Sequence, residues 1–186
     1  KVLDGQVRRG DGETIDAVVW FNDLRNSTAL SEELPLNRML SLMNTYFEIS
    51  ALAIQVNGGE VLRFVGDAML GIFPVSEETG GAAAAAERAM VAAFQARDNM
   101  AEANAERLRA GEPKIEFGIG LHIGEVMYGN VGAPARLDFS VIGPAANRAA
   151  RVESLTKTIG APLLASADFA AVSPLEMSPV GTFEFK

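Results

Sequence analysis

Hydrophobic positions along the 186-residue chain follow two rhythms, and their alternation predicts a mixed architecture. Residues 15–22, IDAVVWFN, form a near-continuous apolar run, which predicts a central strand covered on both faces. From 36 to 54, Leu36, Met39, Leu40, Met43, Phe47, Ala51 and Ile54 keep a three-and-four spacing that predicts an amphipathic helix. Asn57-Gly58-Gly59 ends it. EVLRFV (60–65) and AMLGIFP (68–74) are separated only by Gly66-Asp67, which predicts a hairpin. An Ala-rich stretch from about 80 to 110, charged on one side, predicts a long helix. IEFGIGLHIGEVMYGNVG (115–132) reads as strands broken by glycine, and DFSVIG as another strand. PAANRAARVESLTKTIG reads as a helix with Pro in its first turn and Gly past its end, and the sequences PLLAS and GTFEFK complete the strands.

The resulting order, strand–helix–strand–strand–helix–strand followed by a further strand–helix–strand portion, defines an α+β fold. Its first part is a ferredoxin-like βαββαβ core, with helices packed on a mostly antiparallel sheet and an additional C-terminal β/α portion. Residues 1–14 contain the polar run RRGDGE and read as a linker from an upstream region, so that 15–186 form one folded domain. On this reading the chain is an excised domain, with a regulatory domain or a membrane anchor expected outside it.

Composition narrows the functions. Apolar residues make up 48% and charged residues 22%, ordinary values for a globular protein. The net charge of −8 argues against nucleic acid as a partner, since a nucleic-acid groove needs a concentrated basic face. There is no cysteine, which excludes disulfides, zinc thiolates and a thiol nucleophile and fits a reducing, cytoplasmic location. No stretch reaches the roughly 18 consecutive apolar residues of a membrane span. The single histidine, His122, lies in an apolar strand context, so a Ser-His-Asp arrangement rests on one weak candidate. No GxxxxGK[ST] loop is present.

Asp23 and Asp67 carry the chemistry. One follows VVWFN and the other sits in the turn of the hairpin LRFVGDAML. In a split βαβ fold these strands are neighbours, so their carboxylates can converge on a hard cation such as Mg²⁺, which prefers oxygen ligands and the company of phosphates. Alone, either aspartate reads as a turn or capping residue. After Asp23, the sequence Leu24-Arg25-Asn26-Ser27-Thr28 makes a polar strand-to-helix turn. Its backbone N–H groups can hold phosphate oxygens, and Ser27 or Thr28 can equally cap the helix. Asn147 and Arg151 are four residues apart and share a helix face, with alanines at 145, 146, 149 and 150 keeping the helix slim. An amide and a guanidinium together suit a sugar ring and a phosphate; a solvated face is the plainer reading.

Taken in order, FNDLRNST, LRFVGDAMLGIF, GLHIGEVMYGNVG and FSVIGPAANRAARVES resemble the class III nucleotidyl cyclase catalytic domain, from about residue 15 to the end. The resemblance implies a homodimer with active sites at the interface and two Mg²⁺ or Mn²⁺ ions per site. It matches Asp23 and Asp67 to the metal-binding aspartates and the Leu24 carbonyl to an extra ligand. Asn147 matches the ribose-orienting asparagine, and Arg151 the arginine that stabilises the transition state at the α-phosphate. Asn26, Ser27 and Thr28 keep the phosphate role read from the turn, and the resemblance places Lys186 near the triphosphate lysine. At the purine positions stand Arg63, where adenylate-forming members usually carry Lys, and Ser140, similar to the Thr/Ser subgroup. Guanylate-forming members place Glu at the first of these. Arg63 has no acceptor for guanine, which argues for ATP as substrate.

The implied reaction is adenylate cyclisation: ATP gives 3′,5′-cyclic AMP and pyrophosphate. The alternatives are a guanylate cyclase using GTP and a catalytically weak cyclase-like regulatory or dimerisation module. A palm-type polymerase or diguanylate cyclase shares the βαββαβ core, but no GGDEF-type run is present and the Asn147/Arg151 pair is left unexplained.

Overall fold

A computed structural model describes residues 12–133 and 136–184, with side chains left aside over 130–140. Six strands and five helices follow in the order β1 (Gly12–Leu24), α1 (Ser27–Glu33), α2 (Leu36–Val56), β2 (Glu60–Val65), β3 (Ala68–Pro74), α3 (Gly81–Arg109), β4 (Phe117–Ala133), β5 (Arg136–Ile142), α4 (Pro144–Ile159), β6 (Leu163–Ala165) and α5 (Ala167–Val172) among the described residues. The sheet order is β2-β3-β1-β4-β5, with β6 also on β4. The first four strands stand in the split βαβ order, and every pairing is antiparallel except that of β6 with β4. The α+β expectation holds.

β1 is central, and its two faces enter two apolar layers. Val18 and Trp20 pack with α2 and α3 side chains and with Phe169 of α5. Ala17 and Val19 pack on the other side with Leu70, Ile72, Val126 and Val141, and with Ala145 and Ala149 of α4. Burial on both faces explains why the strand reads as an unbroken apolar run rather than an alternating one.

Four details differ from the sequence reading. β1 begins at Gly12, so 12–14 are strand rather than linker and pair with Met127–Gly129 of β4. The run 115–132 is not broken: β4 is one strand of 17 residues. Two of its glycines, Gly118 and Gly120, serve packing. A Cβ at Gly120 would lie 2.4 Å from the Ala149 carbonyl oxygen and from the Glu153 nitrogen, both α4 backbone, so hydrogen at this position lets the helix lie against the sheet. Residues 181–184 carry no strand, contrary to the expectation for GTFEFK. The outer edge of β4 is already shared between β6 along 119–121 and β5 along 127–133.

The buried face of α2 is also rotated from the one expected. Met39, Leu42, Tyr46, Ser50, Ala53 and Ile54 point inward, while Leu36 and Leu40 are 85% and 61% exposed. Two of the inward residues carry polar tips: Ser50 accepts from Asn22 of β1 at 3.2 Å, and the Tyr46 hydroxyl lies in the field of Asp23 at the end of that strand. A purely apolar count misses inward-facing side chains with polar tips.

Candidate active site

The site is built at the C-terminal end of β1, where strand pairing brings the two aspartates together. Asp23 sits opposite Ala68, the residue next to Asp67, and the Leu24 N–H donates to the Asp67 carbonyl at 3.3 Å. Gly66 takes the left-handed conformation at φ 63° that the tight β2–β3 turn requires. Adjacent strand ends thus hold both carboxylates, and the side chain of Asp23 is 22% exposed. The chain then turns sharply at Asn26, the non-glycine residue with positive φ among those described (φ 55°), a conformation asparagine tolerates. Asn26 starts α1 without a side-chain cap, leaving Ser27 and Thr28 in the first turn.

Beneath Asp23 lies a set of polar groups that sequence reasoning did not find. Lys157 of α4 places its Nζ 3.3 Å from Asp23 Oδ2. Glu153, one turn earlier and 2% exposed, has its carboxyl pushed up from the usual range by burial and by the negative charge of Asp23, partly offset by Arg25 and Lys157. Arg25 donates through Nη2 to Thr156 Oγ1, while its Nη1 is buried with no partner. Gly118 makes room for this group, since a Cβ there would lie 2.4 Å from Glu153 Oε1 and 2.7 Å from Arg25 Nη2. From α2, the fully buried Tyr46 presents a hydroxyl without a partner. Its pKa is raised well above 10.0 by burial and then by the fields of Asp23, Asp67 and Glu153. One cue to this group was present in the sequence. Gly118 and Gly120 alternate on one face of a strand, the mark of a close helix, and the residues of α4 facing them are candidates by position.

Asn147 and Arg151 are exposed on α4 and share a face. At 100° per residue, Glu153, Thr156 and Lys157 lie about 200°, 140° and 240° around the helix from Arg151. The side of α4 that meets Asp23 is therefore not the side that carries Asn147 and Arg151. One chain brings the two aspartates together but does not bring the Asn147/Arg151 pair to them. Arg63 is exposed on β2, opposite Leu70 and four residues before Asp67. Ser140 lies in β5 opposite Gly129. Lys186 lies outside the described residues.

A cavity of about 970 Å³ opens below the α1 turn, lined by Asn26, Ser27, Thr28, Arg97, Asn104 and Lys157 among others. Lys157 joins this cavity to Asp23. Among the described residues no three His, Cys, Asp or Glu side chains gather as a metal cluster. Two carboxylates nevertheless suit a hard cation that completes its shell with water and phosphate. The ammonium already resting on Asp23 shows that this carboxylate accepts a cation. The residues fit a divalent ion.

His122 belongs to the framework. It is 2% exposed, and the same ring nitrogen, Nδ1, meets Ser166 Oγ at 2.7 Å and Asp168 Oδ2 at 3.8 Å. A Ser-His-Asp relay needs one partner on each nitrogen, so this is not a hydrolase centre. Burial lowers the His122 pKa below 6.5; Asp168 raises it and Arg148 lowers it further. The unfolded chain therefore takes up this proton first as pH falls, and the stability contributed by neutral His122 is present above pH 6.5 and lost below it. Urea unfolding of the wild type is expected to show a steeper loss of stability below that pH than His122→Gln.

The family model for the adenylate and guanylate cyclase catalytic domain matches residues 12–161. The chain belongs to this family and is a nucleotide cyclase catalytic domain. An adenylate cyclase from Anabaena cylindrica is 33% identical over 156 residues, covering 83% of this chain and 30% of that protein. Among solved structures, the adenylyl cyclase CyaB from P. aeruginosa superposes with a TM-score of 0.77 at 29% identity, covering 87% of this chain and 82% of that one. The guanylyl cyclase Cya2 superposes with a TM-score of 0.76 at 25% identity, covering 93% and 89%. The chain spans 25% to 30% of the length of the curated relatives it matches. Among the described residues, no helix is long and apolar enough to cross a membrane.

Proposed function

We propose that this domain is an adenylate cyclase, converting ATP to 3′,5′-cyclic AMP and pyrophosphate at sites shared between two copies of the chain. The observation that carries the reading is the division of α4. Lys157 and Glu153 turn toward Asp23 of their own chain, whereas Asn147 and Arg151 face away. A second copy can present its Asn147 and Arg151 to the first copy's aspartates, and a two-fold arrangement then builds two equal sites. Exposed apolar side chains near the relevant elements support such contact: Phe64 and Val65 beside the Asp67 turn, and Met127 and Ile142 paired across β4 and β5.

In this reading Asp23, Asp67 and the Leu24 carbonyl hold two Mg²⁺ or Mn²⁺ ions, which would lower the pKa of the ribose 3′-hydroxyl and neutralise the leaving pyrophosphate. The residues supply position and charge. The N–H groups of Asn26, Ser27 and Thr28 hold the polyphosphate, with Lys186 in support. Asn147 orients the ribose so that its 3′-oxygen stands in line with the α-phosphorus. Arg151 meets the negative charge that grows on the α-phosphate oxygens as the new P–O bond forms and the bond to pyrophosphate breaks. Little acid–base apparatus is needed, which suits a chain whose single histidine is structural.

Arg63 and Ser140 read the purine. Arg63 offers donors and no acceptor: it can donate to adenine N1 or to guanine O6, but it gives the guanine N1 and N2 hydrogens no partner, and it is this missing acceptor that favours ATP. A buried donor left unpaired costs enough that the discrimination is expected to reach roughly ten-fold or more in kcat/KM. The test is incubation with ATP or GTP and either metal, with product separation. Cyclic AMP as the dominant product supports the reading; cyclic GMP as the dominant product moves the activity to guanylate, and tight binding without turnover makes the domain a nucleotide-binding module.

A further inference from the structure

We propose that Lys157 is the resident cation of the Asp23 site. Its ammonium holds the Asp23 carboxylate when no divalent ion is bound, yields that carboxylate to the metal, and then turns to the polyphosphate in the adjoining cavity. The inference deepens the reading of Asp23 as a metal ligand and rests on it.

Three observations meet at this residue. The first is distance: Nζ stands 3.3 Å from Asp23 Oδ2, within the space a cation bound to that oxygen would need. An ammonium and a divalent ion cannot share it, because two like charges at such separation repel strongly in a partly enclosed site. The second is freedom of movement. The Lys157 side chain is 51% exposed on a flexible four-carbon stem, whereas Arg25, the other cation beneath Asp23, is tied to Thr156 inside the fold. Lys157 can leave and Arg25 cannot. The third is what lies within reach, for Lys157 lines the same cavity as Asn26, Ser27 and Thr28, the turn read here as the polyphosphate cradle.

A lysine near the end of a helix is commonly no more than a solvated group that suits the helix dipole. Lys157 differs because its contact is a strand-end carboxylate 134 positions away in sequence, above the buried Glu153. With the ammonium in place, part of the repulsion between Asp23 and Glu153 is offset. Metal entry reverses the arrangement. The ammonium is set free as the polyphosphate, which carries the complementary charge, arrives in the same cavity. Lys157 is thus a positioning residue for the empty state and a phosphate contact in the loaded one.

The two roles give opposite signs in one variant, which a merely structural lysine would not. Free Mn²⁺ is followed by electron paramagnetic resonance on the full chain without nucleotide. Lys157→Met is expected to bind Mn²⁺ about two- to five-fold more tightly than wild type, the scale of a half-exposed ion pair. With Mn²⁺ saturating, 3′-deoxy-ATP, which cannot cyclise, is expected to bind Lys157→Met roughly ten-fold more weakly, the scale of one contact between charged groups. Lys157→Arg, which keeps the charge, is expected to stay near wild type in both. Equal or weaker Mn²⁺ binding by Lys157→Met overturns the competition, and unchanged binding of the analogue overturns the transfer to phosphate. Asp23→Asn separates the two layers: if it binds Mn²⁺ as well as wild type, the reading of Asp23 itself has failed, whatever Lys157 does.

Discussion

Asp23→Ala and Asp67→Ala are each expected to lose cyclase activity by about a thousand-fold or more, with the fold intact. Both carboxylates sit where adjacent strand ends meet, joined by the 3.3 Å bond from the Leu24 N–H to the Asp67 carbonyl. If the two carboxylates hold the metal as proposed, losing either would remove half of the anionic hold on it. A bound metal supplies several kcal/mol of transition-state charge stabilisation, and ~4 kcal/mol corresponds to roughly a thousand-fold in rate. The stability effect is far smaller. Asp23 pairs with a half-exposed lysine, and such pairs contribute about 1 kcal/mol or less. Removing its charge also relieves the repulsion that raises the Glu153 pKa. A thermal melt beside the activity assay distinguishes the outcomes: an unchanged melt with activity lost supports the metal role, and activity above a tenth of wild type in either variant contradicts it.

Arg151→Ala is the second large effect expected. Arg151 is exposed on α4 and outside both apolar layers, so its truncation leaves the core unchanged. If it meets the α-phosphate only as charge develops there, kcat falls by roughly a hundred- to a thousand-fold with little change in KM. A rise in KM with kcat preserved would make Arg151 a ground-state binding residue instead. Measuring kcat and KM with metal saturating separates the two.

Much of the fold was legible because its determinants are local. The continuous apolar run of β1, the Gly66-Asp67 turn and the Pro144 and Gly160 bounds of α4 each act through neighbouring residues. What escaped was non-local. Gly118 and Gly120 read as breaks because their purpose, admitting α4, is visible only once the helix lies across the strand. Tyr46 and Ser50 escaped the apolar reading of α2 because they carry polar tips, which face β1 and its carboxylates. The candidate site divides the same way. Asp23 and Asp67 follow from strand adjacency. Lys157, Glu153, Thr156 and Arg25 belong to a polar group assembled from α4 and the residue just after β1, more than 120 residues apart in sequence, and only packing brings it together.

That division of α4 into a face toward its own Asp23 and a face away from it is the centre of the account, and mixing impaired variants tests it most directly. Asp23→Ala and Arg151→Ala, each strongly impaired alone, are combined in equal amounts and assayed for cyclic nucleotide. Random pairing makes half of the dimers mixed, each with one intact site, so activity is expected to return to about a quarter of wild type. Activity no greater than the sum of the two separate variants would contradict a site built from two chains.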